Sequence, residues 1–211
     1  SGARNADAIS AFLVERGTPG LATSPSTPKM GQEGAPIGEV LLNDCIVGKE
    51  MIVGEKLHGG FRTMMKTLNK QRINLAALST GPAIRMLDEA LAYAHERKQF
   101  GKRIGEFQLV QAMLADCKVE IEAARSLILQ TARKRDAGED VTMDVSICKY
   151  YATEMCGRVA DRVVQIFGGQ GWVKERCIER FYRDVRPFRI YEGTSQIHQL
   201  NIARLLLRGA G

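Results

Sequence analysis

From residue 57 onward, apolar side chains recur at the spacing of helical turns. The first such stretch carries Met64, Met65, Leu68, Ile73, Leu75, Leu78, Ile84, Leu87 and Ala90, and runs to Tyr93. Pro82 lies inside it, after Gly81. Proline removes a backbone N–H, and its ring presses on the carbonyl four residues back, so a kink or break is expected near Leu78. A second helix is predicted over 107–137, with Val110, Met113, Leu114, Cys117, Ile121, Ala124 and Ile128 on one face and Gly138 ending it. A third, over 142–167, carries Ile147, Tyr151, Met155, Val159, Val163 and Phe167, and stops at Gly168 and Gly169. A last helix follows Thr194, whose hydroxyl suits an N-cap, and holds Ile197, Leu200, Leu205 and Leu206. Long helices with one apolar face and short links predict an antiparallel four-helix-type bundle.

The first quarter of the chain has another texture. Residues 8–15 and 38–47 read as short β runs, the first closed by a turn at 17–20. Between them, residues 24–36 hold three prolines and two glycines and read as a loop. So little β structure cannot stand alone. The expected organisation is a truncated β-domain remnant over 1–55 and a helical bundle over 56–211, mainly α overall. The chain opens on Ser1 and Gly2 without an initiator methionine, and reads as cut at its start.

Composition narrows the options. The chain has 211 residues, 45% hydrophobic and 26% charged, and no apolar run near the ~18 residues a membrane helix needs. A net charge of +6 suits an anionic partner such as a phosphorylated cofactor. Nucleic acid is disfavoured: the basic residues are dispersed, and only 6% of residues are aromatic. Cys45, Cys117, Cys148, Cys156 and Cys177 form no C-x-x-C pair, and His58, His95 and His198 show no ligand spacing, so neither a disulfide framework nor a metal site is expected.

Three segments break the bundle pattern: YAHERKQFGK at 93–102, QIFGGQG at 165–171 and RIYEGTSQ at 189–196. With YAxxRxxFG, QxxGGxG and IYEGTSQI in this order and separation, the sequence resembles the acyl-CoA dehydrogenase family, from about Ile9 to Leu207. The resemblance places the early segment, around Gly31 and from Asp44 to Gly54, at the end of the family's middle β domain, and the bundle in its C-terminal domain.

The resemblance implies FAD-dependent α,β-dehydrogenation of an acyl-CoA to a trans-2-enoyl-CoA. Glu192 stands at the catalytic base position; Tyr191 and Gly193 flank the thioester, and Arg72 faces the CoA portion. For FAD it implies Arg97 at the pyrophosphate, and Phe100 and Gln108 near the adenosine. Gln165, Gly168 and Gly169 come from a neighbouring subunit, and Thr194 and Gln196 complete the flavin contacts. Some family branches carry the base just before the arginine matching Arg72. Here that residue is Gln71, which cannot act as a base. Two departures stand out: Asn69 replaces the family's usual aspartate, and Pro82 falls in the helix that lines the acyl cavity. The implied partners are an electron-transfer flavoprotein and further copies of the chain, as a tetramer built from two dimers. The implied compartment is the mitochondrial matrix or a bacterial cytoplasm. Rival readings are an acyl-CoA oxidase or another flavoenzyme on the same scaffold. This chain alone is expected to be inactive, a helical oligomerisation module without the other half of the site.

Overall fold

The computed structural model describes residues 8–54 and 57–208. Two compact units are present, 1–68 and 69–211. In the first, β1 (Leu21–Thr23) pairs antiparallel with β2 (Val40–Leu42), Leu21 opposite Leu42 and Thr23 opposite Val40. β2 falls inside the predicted run at 38–47. β1 was not expected, because turn and loop signals crowd it on both sides. The run at 8–15 forms no strand: it contributes an isolated bridge between Phe12 and Ile52, flanked by hydrogen bonds from Leu13 N to Met51 O and from Val53 N to Ala11 O. A strand needs a ladder, and here the partner segment turns away into the short 3-10 turn Lys49–Met51.

α1 (Gly60–Glu96) starts in the first unit and continues into the second. The expected break near Leu78 does not occur, and Pro82 lies inside a continuous helix. The carbonyl that loses its donor belongs to Leu78, which is exposed along with Gly81, so solvent satisfies it and the helix survives. The opposite face, with Ala76, Ala83, Met86 and Ala90, is buried and holds the helix in place.

In the second unit a tight hairpin follows, β3 (Lys98–Gln99) against β4 (Lys102–Arg103). Its two central residues both have positive φ, Phe100 at 50° and Gly101 at 81°, the geometry that matches strand twist in a two-residue turn. α2 (Gln108–Asp136), α3 (Thr142–Phe167) and α6 (Ser195–Arg208) complete the bundle, with the short α4 (Gly169–Trp172) and α5 (Ile178–Val185) between the last two. α3 is the central helix and packs against α2, α4, α5 and α6. Its Cys156, Val159, Ala160 and Val163 meet Cys117, Ile121 and Ala124 of α2 in one apolar core. Ion pairs stitch the rim: Glu120 takes both Arg158 and Arg162, and Lys134 takes Asp144. Near α5, Arg183 pairs with Glu179 and Arg189 with Glu154. No helix among the described residues is long and apolar enough to cross a membrane.

Candidate active site

The segment between α5 and α6 is built to present one carboxylate. A 3-10 turn, Arg186–Arg189, is followed by Ile190 and Tyr191, whose N–H groups both donate to Pro187 O. The chain then passes through two left-handed residues, Glu192 at φ 55° and Gly193 at φ 95°. Left-handed backbone disfavours any residue with a Cβ, so Glu192 must be held there by its surroundings. Three side chains hold it. Arg72 Nε of α1 donates to the Glu192 carbonyl at 3.2 Å, and His198 Nε2 of α6 lies 3.2 Å from the same oxygen. A carbonyl only accepts, so the imidazole carries its proton on Nε2. Lys149 Nζ of α3 donates to the next carbonyl, Gly193 O, at 2.6 Å. A methyl group at Gly193 would lie 3.0 Å from His198 Nε2 and 3.4 Å from Arg72 Nη2, so a side chain there would crowd the cage as well as strain the backbone.

The cage is buried: Arg72, Lys149 and His198 have 6%, 0% and 0% of their surface exposed. Glu192 is half-buried, and its Oε2 is buried without a hydrogen-bond partner among the described residues. Burial raises its carboxyl above the ordinary range, against the pull of the Lys149 and Arg72 charges. Burial pushes the Lys149 ammonium down to about 8 and the His198 imidazole down to about 4, so at neutral pH the lysine is mostly charged and the histidine neutral. The arrangement gives a carboxylate with a free oxygen, a weakened preference for ionisation and a fixed backbone, which are the attributes of a general base. No hydrogen bond from the Glu192 N–H appears among the described residues, leaving that donor available to an outside acceptor.

The other predicted residues fall into two groups. Thr194 accepts from Ile197 N at 3.3 Å and caps α6, as its position suggested. Gln196 is exposed in the first turn of α6, and the Tyr191 ring packs edge-on against Phe188 at 6.0 Å. Arg72 directs its second hydrogen bond inward, from Nη1 to Asn69 Oδ1 at 3.0 Å. The second group gathers past the far end of α1. Arg97, Gly168 and Gly169 line one groove of about 360 Å³, with Tyr93, Gln99, Ile104, Phe167 and Gln170. Tyr93 and Phe167 stack at 4.1 Å within it. Arg97 is exposed and makes no ion pair among the described residues. Gln108 at the start of α2 and Gln165 in the last turn of α3 are exposed, and Phe100 is 91% exposed at the hairpin tip.

The glycines in the groove and just behind it differ in cause. Gly171 is required by packing, since a methyl there would come within 2.7 Å of Val164 O. Gly168 needs its positive φ of 58°. Gly169 needs neither, for a methyl would meet nothing within 4 Å. A small residue that the chain itself does not demand, an unpaired guanidinium and an aromatic stack fit an extended, anionic, ring-bearing group such as FAD.

Lys149 and His198 were not singled out from the sequence. Lys149 carried a signal: it lies four residues after Val145 and seven before Cys156, a lysine on the apolar stripe of α3.

Residues 58–207 match the family model described as "Acyl-CoA dehydrogenase, C-terminal domain". The chain is 43% identical over 200 residues to a caffeyl-CoA reductase–Etf complex subunit, CarC, of Acetobacterium woodii, covering 95% of this chain and 52% of that protein. It superposes on butyryl-CoA dehydrogenase of Megasphaera elsdenii with a TM-score of 0.92 at 36% identity, covering 98% of this chain and 54% of the other. A structure described as "PigA with FAD and proline" matches at 0.93 and 32% identity, covering 96% of this chain and 53% of that one. The chain thus spans about half the length of the relatives it matches. The match extends over most of its residues and takes in both the carboxylate turn and the glycine groove: the chain belongs to the acyl-CoA dehydrogenase family.

Proposed function

We propose that the protein containing this chain oxidises an acyl-CoA thioester between its α and β carbons, with Glu192 removing the α-proton. The observation that carries this reading is the half-buried carboxylate with a raised proton affinity and one unpartnered oxygen, fixed on a left-handed backbone by three neighbours. A thioester α-proton is only weakly acidic, so the base needs a nearby donor where enolate charge develops. The free Glu192 N–H is such a donor, and the thioester oxygen is its natural acceptor. Gly193 lets substrate approach the backbone, and Tyr191 covers the thioester. When bound, FAD supplies the hydride acceptor for the β-carbon. In this chain Arg97, Phe100, Gly168 and Gly169 would hold its adenosine and pyrophosphate end, with Gln108 and Gln165, while Thr194 and Gln196 serve the flavin end.

Arg72 and the end of α1 are separated by 24 residues of helix, about 36 Å at the helical rise per residue. That exceeds an extended dinucleotide. One FAD held by both groups would therefore take its flavin end from one copy of the chain and its adenosine end from another, which supports a homo-oligomer. An electron-transfer flavoprotein as electron acceptor is supported by the Etf-complex name of the Acetobacterium relative.

The same relative is named a reductase, which favours a second reading in which the reaction runs the other way. There, protonated Glu192 returns its proton to the α-carbon, and the raised proton affinity serves that direction equally. The test uses the full-length protein without oxygen: a panel of acyl-CoA and enoyl-CoA thioesters is screened for flavin bleaching or recolouring, wild type against Glu192→Gln. Substrate binding should persist in the variant while bleaching is lost; undiminished bleaching refutes the base assignment.

A further inference from the structure

Lys149, mostly charged at neutral pH, lies on the buried stripe of α3 with Val145, Ala152 and Cys156, 0% exposed. Its Nζ donates to Gly193 O at 2.6 Å. A carbonyl needs only a neutral donor, and burying an ammonium costs far more than burying an amide. The hydrogen bond therefore does not account for the charge. The Glu192 carboxylate, which the same turn presents, attracts the ammonium and is in turn pulled toward its ionised form.

We propose that Lys149 is a positioning residue for the base: from the buried face of α3 its ammonium fixes the Gly193 carbonyl and, with it, the aim of the Glu192 carboxylate. This rests on Glu192 being the base. The residue works in two ways. Its hydrogen bond locks the Gly193 carbonyl, in the peptide just beyond the one Arg72 and His198 hold, so the second left-handed residue of the turn cannot relax toward an ordinary one. Its charge favours the ionised carboxylate, opposing the desolvation that would otherwise keep Glu192 protonated and idle. Lys149 does both from α3, and it is the cage member that holds the Gly193 carbonyl. Arg72 of α1 binds the Glu192 carbonyl and adds charge; His198 of α6 binds the same carbonyl but is neutral. Glu154, one turn further along α3, also pulls on Lys149, but its own oxygens are committed to Ser195 Oγ and Arg189.

The test compares Lys149→Met, which removes donor and charge, with Lys149→Gln, which keeps an N–H donor without charge, in the full-length enzyme. Two quantities are read. One is the acid limb of the kcat/KM profile. The other, independent of turnover, is the pH titration of the Glu192 carboxyl band by infrared spectroscopy, assigned by its loss in Glu192→Gln. In both variants the carboxyl titration and the acid limb should move to higher pH by about one unit, because an attractive charge is gone. The limiting rate at high pH should fall about tenfold or more in Lys149→Met and less in Lys149→Gln, which still holds the carbonyl. If both variants keep the wild-type titration and acid limb while only thermal stability changes, Lys149 is structural and the inference is overturned; Lys149→Gln carries this comparison if Lys149→Met does not fold. If instead Glu192→Gln keeps full activity, the base assignment is what fails. The infrared titration separates the two failures, since it reads Lys149's effect on the carboxyl whether or not Glu192 is the base.

Discussion

The two ends of the candidate site are made in opposite ways. At the carboxylate turn every contact is internal: Arg72, Lys149 and His198 come from three helices, are buried, and spend their donors on two consecutive carbonyls. At the glycine groove the working groups point outward: Arg97 is exposed and unpaired among the described residues, Phe100 is 91% exposed, and Gly169 faces open space. The first end is prearranged before any ligand arrives, as proton transfer demands, because a base misplaced by about 1 Å loses much of its rate. The second is a gripping surface, whose order comes from what it holds. On the proposed function, one region is fixed for chemistry and the other is open to bind.

If that contrast is right, substitutions at each end should fail in different measurements. The largest effect belongs to the turn: Glu192→Gln should cut flavin reduction by about a thousandfold, with flavin content and acyl-CoA affinity nearly unchanged. A loss of flavin in that variant would blur the two regions into one. Next comes a pair of glycines, Gly169 lining the groove and Gly171 buried just behind it. Gly171→Ala drives a methyl to 2.7 Å from Val164 O and should destabilise the fold by about 3 kcal/mol in thermal or denaturant melts. Gly169→Ala should leave stability within about 0.5 kcal/mol, its penalty appearing in FAD affinity instead. If Gly169→Ala melts as early as Gly171→Ala, the groove is structural and not a gripping surface.

The cage also predicts a pH dependence. Burial, aided by the Arg72 and Lys149 charges, lowers the His198 imidazole to about 4 from its ordinary 6.5. Between those values the unfolded chain binds more protons than the folded one. The contribution of the neutral ring is therefore complete above pH 6.5 and is lost as pH falls toward 4. Stability should drop by about 2 kcal/mol over that window. His198→Gln, which keeps an N–H for the Glu192 carbonyl, should flatten the drop in melts taken across it. The smallest effect lies at the open end: Arg97→Ala should weaken FAD about tenfold by equilibrium titration, as expected for one exposed charge-assisted contact, and leave the Glu192 titration where it was.

The sequence made the bundle legible because helical periodicity is a local signal. The third predicted helix, 142–167, matches α3 residue for residue, and the second is one residue long at each end. It misled where the outcome depends on surroundings. Pro82 reads as a breaker, yet the freed carbonyl sits on an exposed face and the buried face pins the helix. Residues 8–15 look like a strand, but a strand requires a ladder, and the run makes only a single bridge at Phe12 with its flanking hydrogen bonds among the described residues. The carboxylate and the groove residues were visible as motifs. The cage was not: Lys149 and His198 lie far along the chain from Arg72, and their convergence on two carbonyls is a property of the packed helices. Only the oddity of a lysine on an apolar stripe pointed to it.

The left-handed conformation at position 192 has a consequence for how such a chain diverges. A side chain there is an inherited burden on the backbone, of order 1 kcal/mol, which glycine would lift. In a lineage whose substrate no longer offered an acidic C–H bond, drift at this position would run downhill toward glycine. A descendant that keeps the lysine and arginine but carries no side chain at the turn would be a scaffold that has retired from proton chemistry.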